Sequence, residues 1–337
     1  MTVTLRRKRR AIYVMASLAA MLLVLMVMSM NSGKISLTPL EVLKVLLGGG
    51  TEREQTVVMD FRLPRIILAI LVGIGMSLAG CVMQTLLRND MASPGTLGIS
   101  AGSGFFVLLY IVLFSTQGMA SAFAMPVLSF VGGLTAAALI FLLAYRRGRA
   151  TSPTSLILTG VALGSGYGAA SLLLTLKLDE NQLNFVLRWS AGSLWGTEWR
   201  YLIILAPWVL VFSLYIFYKS RILDSLQFGH QVAAGLGVSV KREFLLLAVA
   251  SIALASGSVS LGGNFFFIGL ITPHMARKLV GTNHKYVLPV SCLIGAVVVL
   301  LADTITRTIS FGADVPAGIV ITVLSTPYFL YLIAKAN

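Results

Sequence analysis

The chain has 337 residues, 57% hydrophobic and 11% charged, with a mean hydropathy of +0.90. Soluble domains carry about 25% charged residues, so this composition excludes a soluble globular protein and defines a polytopic membrane chain. A formal charge of +14 would suggest nucleic acid for a soluble protein, but its distribution along this chain assigns it to membrane topology.

At about 20 apolar residues per crossing plus connections, the length accommodates about ten spans and leaves no soluble domain. Arg6, Arg7, Lys8, Arg9 and Arg10 precede the uncharged run 11–30. A signal peptide has a shorter apolar core and a small-residue cleavage site, so this run reads as a retained first span. Residues 31–65 form a polar external segment, and 66–87 the second span. Residues 91–145 lack charge and hold two spans around a turn at 115–118, the second ended by Arg146, Arg147 and Arg149. The fifth span is 151–176 and the sixth 201–218, separated by a polar external segment at about 177–200.

Residues 219–243 then form a polar, glycine-broken loop between uncharged runs. Residues 244–276 are tight for two crossings. A turn at 257–264 divides them, and the eighth helix is expected to run on through Arg277 and Lys278 to Val280. Spans nine and ten are 287–302 and 315–334.

An even number of crossings places both termini on one side. With that side cytoplasmic, most of the 26 basic residues fall inside, and the only acidic residues there are Asp90, Asp224 and Glu243. This satisfies the positive-inside rule. The expected fold is therefore an all-α polytopic protein of the cell membrane, a single transmembrane domain over 1–337, with both termini cytoplasmic and no nucleic-acid partner. Trp189, Trp195, Trp199 and Trp208 cluster around the 177–200 segment, as an interfacial aromatic belt would.

Gly160, Gly164 and Gly168 recur every four residues, which suits close packing of membrane helices. The run Gly164-Ser165-Gly166-Tyr167-Gly168-Ala169 loosely matches a dinucleotide fingerprint, but that motif requires a strand and a βαβ unit. Cys81 and Cys292 sit inside apolar runs and read as packing residues.

The chain contains no GxxxxGK[ST] loop, so it is not expected to hydrolyse ATP. His230, His274 and His284 lack metal-ligand spacing, and no nucleophile–base pair suggests an intramembrane enzyme. An ion-coupled transporter needs ionisable groups at mid-membrane. Only Asp303 comes close, and Arg307 four residues on offers a same-face structural ion pair. Arg62 and Arg65 flank Pro64 at the outer start of the second span. They read either as arginines snorkelling to headgroups or as a docking patch for an acidic partner.

Taken in order, a set of motifs resembles one family. It begins with Arg62-Leu63-Pro64-Arg65, Gly75, Leu78-Ala79-Gly80, Gln84, Arg88-Asn89, Pro94-Gly95 and Leu97-Gly98. It continues with Gly160-Val161-Ala162-Leu163, Trp189, Gly192-Ser193-Leu194, Trp199, Gly229 and Leu236-Gly237. Gly269-Leu270-Ile271, Pro273-His274, Arg277, Gly281, His284, Leu288-Pro289, Ala302-Asp303, Arg307, Val315-Pro316-Ala317-Gly318 and Pro327-Tyr328-Phe329 complete it. The chain resembles the permease subunits of binding-protein-dependent ABC importers for ferric siderophores, haem and vitamin B12.

That resemblance implies ten helices per subunit, two permease subunits, two cytoplasmic ATPases that bind ATP and Mg, and an extracytoplasmic substrate-binding protein. The second permease is expected to be a paralogue in preference to a second copy. The 219–243 loop corresponds to short coupling helices, with Leu226, Gly229, Ala233, Leu236 and Gly237 at the ATPase. Arg62, Arg65 and Arg307 correspond to binding-protein docking positions. Gln84, Arg88, Asn89 and Thr154 correspond to the inner gate and pathway. Trp189, Gly192 and Ser193 correspond to the outer gate in a re-entrant 177–200 segment. No cofactor or metal is expected in this chain. The sequence departs from the family at Asp90, Met91, Ala92 and Ser93, where Pro-Leu-Ala-Asp is usual, at His230-Gln231, commonly acidic, and at Ser325, usually glycine. The expected cargo is a hydroxamate or catecholate ferric siderophore, with haem or vitamin B12 as alternatives and an ion-coupled transporter as the reading from another class.

Overall fold

The computed structural model describes residues 2–33, 35, 37–114, 119–144, 153–309 and 315–336. The turn expected at 115–118 and the arginine-rich stretch Arg146, Arg147 and Arg149 lie outside the described residues. Among the described residues every regular element is helical, and seven helices are long and apolar enough to cross a membrane.

α1 (Thr2–Asn31) is followed by two short helices, α2 (Pro39–Leu46) and α3 (Glu52–Gln55). Both start with a capping box, Thr38 with Glu41 and Thr51 with Glu54, in which each threonine and glutamate satisfy one another's backbone N–H. The Thr38 N–H bond holds the Glu41 carboxyl below its usual range. α3 continues without a break, through a π-helical stretch at Thr56–Arg62, into α4 (Leu63–Leu87). Helix thus begins well before the span start expected at residue 66.

Pro64 accounts for the π geometry. It has no N–H, and its ring crowds the carbonyl four residues back. The ladder widens there, so that the Leu63 N–H reaches the Val58 carbonyl. The Met59 carbonyl accepts from the Trp199 indole instead, at 2.9 Å.

α4 is the centre of the molecule. It packs against α12 (Val240–Gly262), α13 (Ile268–Val280) and α14 (His284–Thr308). α1 lies along α14. α5 (Ile99–Leu113) pairs with α6 (Met119–Ala144), and α7 (Pro153–Thr175) rests on those two. α9 (Trp199–Tyr218) covers α12 and α4, and α15 (Ala317–Ala336) leans on α14. Missing side chains allow the central contacts. A methyl on Gly73 would overlap the Gly295 backbone of α14, and one on Gly80 the Gly269 backbone of α13. Cys81 and Cys292 are buried free thiols.

The turn expected at 257–264 falls later. α12 runs through Gly257 to Gly262, and the chain reverses at 263–267. Ser258 and Ser260 look like turn formers, yet their hydroxyls donate to carbonyls four and three residues back within the helix. Gly257 gives room to the Trp208 ring, whose indole N–H donates to the Ala253 carbonyl at 2.8 Å.

The glycine row on α7 is only half used. Gly160 meets the Leu97 backbone and Gly164 the Gly98 Cα, whereas nothing lies within 4 Å of a Cβ on Gly166 or Gly168.

Candidate functional site

Two polar clusters sit at opposite ends of the α4–α14 pair. At the end read as external, Asp303 of α14 is fully buried between two arginines. Arg65 Nε and Nη2 approach Asp303 Oδ1 at 3.0 and 2.9 Å. Arg307 Nε donates to Oδ2 at 2.9 Å, and its Nη2 reaches the Ser29 hydroxyl of α1. Charge-assisted, multidentate bonds of this kind fix orientation as well as energy. Asp303 therefore ties α1, α4 and α14 together.

Arg62 departs from the expectation of an exposed docking residue. Its side chain is buried and donates to the Met30 and Ile35 carbonyls, at the end of α1 and just beyond it. A charge that reads as a loop in the sequence is here an internal brace within a continuous helix.

The 177–200 segment contains α8 (Glu180–Ser190), capped by Asp179, whose carboxylate accepts from Gln182 N–H at 2.8 Å. After Ala191 the chain turns at Gly192, where φ is +85°, a conformation glycine adopts without strain. The Gly192 carbonyl accepts from Gly318 N–H at 2.8 Å, and a Cβ on Gly192 would lie 2.8 Å from the Gly318 Cα. Trp195 bonds α12 twice, N–H to Leu261 at 3.0 Å and indole to Ser260 at 2.9 Å. Trp189 is buried, its carbonyl against Gly263 and its ring facing Gly104 of α5, while Ser193 is half-buried. Below this turn a cleft is lined by Ser190, Asn264, Phe266, Gly318, Thr322 and Val323. The tryptophans are thus not simply a headgroup belt. Three of the four indoles donate to backbone carbonyls of the protein, Trp199 from an exposed position.

At the opposite end, α4 terminates at Arg88 in the left-handed conformation, φ +48°. The Asn89 N–H returns to the Gln84 carbonyl at 3.1 Å, closing the cap. Gln84 is buried: its amide donates to the Leu270 carbonyl of α13 at 2.9 Å, and Arg277 donates to its Oε1. Arg277 also pairs with Asp90 at 3.0 Å. Gln84 therefore splices α4 to α13, while Arg88 is exposed, Asn89 half-buried and Thr154 exposed at the start of α7.

The 219–243 loop folds into α10 (Ser220–Leu226) and α11 (His230–Gly235). Its neck is closed by Lys219 Nζ and Glu243 Oε1 at 2.8 Å, a bond that raises the Lys219 pKa. Leu226, Gly229 and Ala233 are buried beneath the loop. Leu236 is exposed, and so are Phe228 and Val232; the three are 65%, 67% and 50% accessible. Val232 and Leu236 are one turn apart on α11 and its C-cap, and Phe228 precedes that helix, so the loop presents three exposed apolar side chains. Gly229 and Gly237 take φ of +109° and +82°. The His230 ring packs edge-on to Phe244.

Sequence reasoning also missed a pairing rule at this end. Asp90, Asp224 and Glu243, the acidic residues placed inside, each face a basic partner: Arg277, His284 and Lys219.

The fold is a multi-pass helical bundle with a polar two-helix loop at one end and a buried ion-pair cluster at the other. The family model described as the FecCD transport family matches residues 21–335. The chain is 40% identical to the iron(3+)-hydroxamate import system permease protein FhuG of Bacillus subtilis (strain 168), covering 98% of this chain and 99% of that one. It is 37% identical to the hemin transport system permease protein HmuU of Yersinia pestis, over 82% and 83% of the two chains. A solved metal-chelate type ABC transporter in an inward-facing conformation superposes with a TM-score of 0.80 at 30% identity, covering 96% of this chain and 99% of that chain. The chain belongs to the FecCD transport family, the permeases of ABC importers, and is a multi-pass protein of the cell membrane.

Proposed function

We propose that this chain is one of two permease subunits of an ABC importer that carries a ferric siderophore of the hydroxamate type into the cytoplasm. The observation that carries the proposal is the set of exposed apolar side chains Phe228, Val232 and Leu236, just before, within and at the end of the second short helix of a polar loop. A soluble face needs no such set, whereas a helix seated in a partner's groove does. ATP and Mg belong to the cytoplasmic ATPases bound there, and the cargo is moved without covalent change.

In this reading the chain is a single domain with ten crossings and both termini inside. The 15-residue α5, the 13-residue α13 and α15 bring the seven longer helices to ten. The second permease is a paralogue. The binding protein docks on the outer end, where Arg65 and Arg307 are partly exposed around Asp303; Arg62 contributes by bracing that end. Gating occurs at the Gly192–Gly318 turn and at the Arg88-Asn89 turn. The hydroxamate assignment follows the FhuG relative, and the HmuU relative makes haem the second reading.

Leu236→Asp tests the seat. Placing a charge against an apolar groove costs several kcal/mol (about 2–4), so ATPase subunits should no longer co-purify with the permease. Full co-purification would remove this role from the loop. Calorimetric titration of the co-purified binding protein with ferric hydroxamate and with haem decides the cargo.

A further inference from the structure

His284, the partner of Asp224, is fully buried at the first turn of α14. Its backbone N–H donates to Asp224 Oδ1 at 2.8 Å, and its Nδ1 lies 2.7 Å from the same oxygen. On the other side of the ring, Nε2 is 2.8 Å from the Thr85 hydroxyl, which donates to the Cys81 carbonyl at 2.9 Å. A continuous hydrogen-bonded path therefore runs from α10, through the start of α14, into the last turns of α4. One turn further along α4, Arg88 lies against the loop as well, since a Cβ on Gly229 would be 3.1 Å from its guanidinium.

Apolar side chains could fill this junction at least as stably, because burying polar groups is favourable only when every partner is met. What hydrogen bonds add is direction. Packed apolar surfaces can slide past each other, while a short, fully satisfied path resists displacement of one helix relative to another. The neck of the loop has no comparable grip on α4, because Lys219 and Glu243 join only the two stretches of chain entering and leaving it. The path ends within a turn of Gln84, Arg88 and Asn89, at the cytoplasmic end of α4.

We propose that Asp224, His284 and Thr85 form the mechanical link that makes the cytoplasmic end of α4 follow the coupling loop, with His284 as the positioning residue. The proposal rests on the reading of that loop as the ATPase seat. A displacement of α10 is delivered to the α4 cap because the relay leaves the two helices no independent arrangement. Packed helices of this kind have discrete states, so the shift appears at the Arg88-Asn89 turn as a change of gate position.

The test uses the complete importer in proteoliposomes, with ATP consumed per siderophore imported as the readout. A cysteine at Leu236, cross-linked to the ATPase, reports that the seat is occupied. Loss of stability alone lowers both rates together and leaves their ratio unchanged. In Thr85→Val, which keeps the shape and removes the hydroxyl, the ATP cost per siderophore rises about tenfold, the size of an ordinary coupling free energy, while the cross-link forms normally. Asp224→Asn and His284→Ala raise it further, and Lys219→Gln changes it less than about twofold. Should His284→Ala fail to assemble, Thr85→Val decides alone. A wild-type ratio in assembled Thr85→Val and Asp224→Asn complexes overturns the relay. Absence of the cross-link in the otherwise wild-type complex overturns the reading of the loop itself.

Discussion

α4 and α7 are both apolar helices rich in glycine, and by composition either could line the centre of the bundle. In the fold they are opposites. Most residues of α4 are buried, whereas on α7 Leu156 and Gly160 are the buried ones among the described residues. The glycines show why. On α4, Gly73 and Gly80 sit where another helix backbone passes, and no side chain fits. On α7, Gly166 and Gly168 face open space. A small-residue row marks a face that can be approached closely; whether anything approaches it depends on the rest of the fold.

One substitution made at both places gives opposite results. Gly80→Ala has the largest expected effect. Alanine favours helix over glycine by about 1 kcal/mol, but the new methyl overlaps the Gly269 backbone, which cannot rotate away. A net loss of about 3 kcal/mol or more should appear as a large fall in the melting temperature of the detergent-solubilised subunit, or as failure to accumulate. Unchanged melting would mean that α4 and α13 are not in contact there.

Asp303→Asn comes next. It leaves Arg65 and Arg307 facing each other with a neutral acceptor between them. Since both arginines are partly exposed, the cost should fall between the exposed and buried limits, about 2–4 kcal/mol. Thermal unfolding should show it, and a second substitution, Arg65→Met, should cost less on top of Asp303→Asn than in the wild type. Strict additivity would indicate that the two side chains do not interact.

Gly168→Ala has the smallest effect and the opposite sign. With nothing within 4 Å, the methyl adds helix propensity alone, and the subunit should gain about 0.5–1 kcal/mol. A loss would mean that α7 is packed on that face in the isolated subunit.

The same contrast explains what was legible in the sequence. Uncharged runs locate the helices because hydrocarbon excludes charge whichever neighbour a helix has. They misplace ends wherever a charge is neutralised inside the protein. Arg62 broke the apolar pattern and read as a loop, while its guanidinium is satisfied by the Met30 and Ile35 carbonyls and the helix runs straight through it. Ser258 and Ser260 read as a turn, because a sequence does not reveal that their hydroxyls return to the helix's own carbonyls. The four-residue spacing of Asp303 and Arg307 was readable from helix geometry, but the third member, Arg65, comes from a segment 238 residues away. His284 was visible only as a motif letter, since its partners Asp224 and Thr85 are 60 and 199 residues distant. Local periodicity carries helices and their faces; long-range pairs carry the sites.

In the proposed function, the energy for transport reaches this chain from ATPase subunits through residues 219–243. Uptake of radioactive iron, supplied as a ferric hydroxamate with its binding protein, into vesicles holding the permease pair measures this directly. Uptake should require the ATPase subunits and internal ATP, and vanadate should abolish it. Uptake of the same size by the permeases alone, driven by a proton or sodium gradient and indifferent to vanadate, would contradict it.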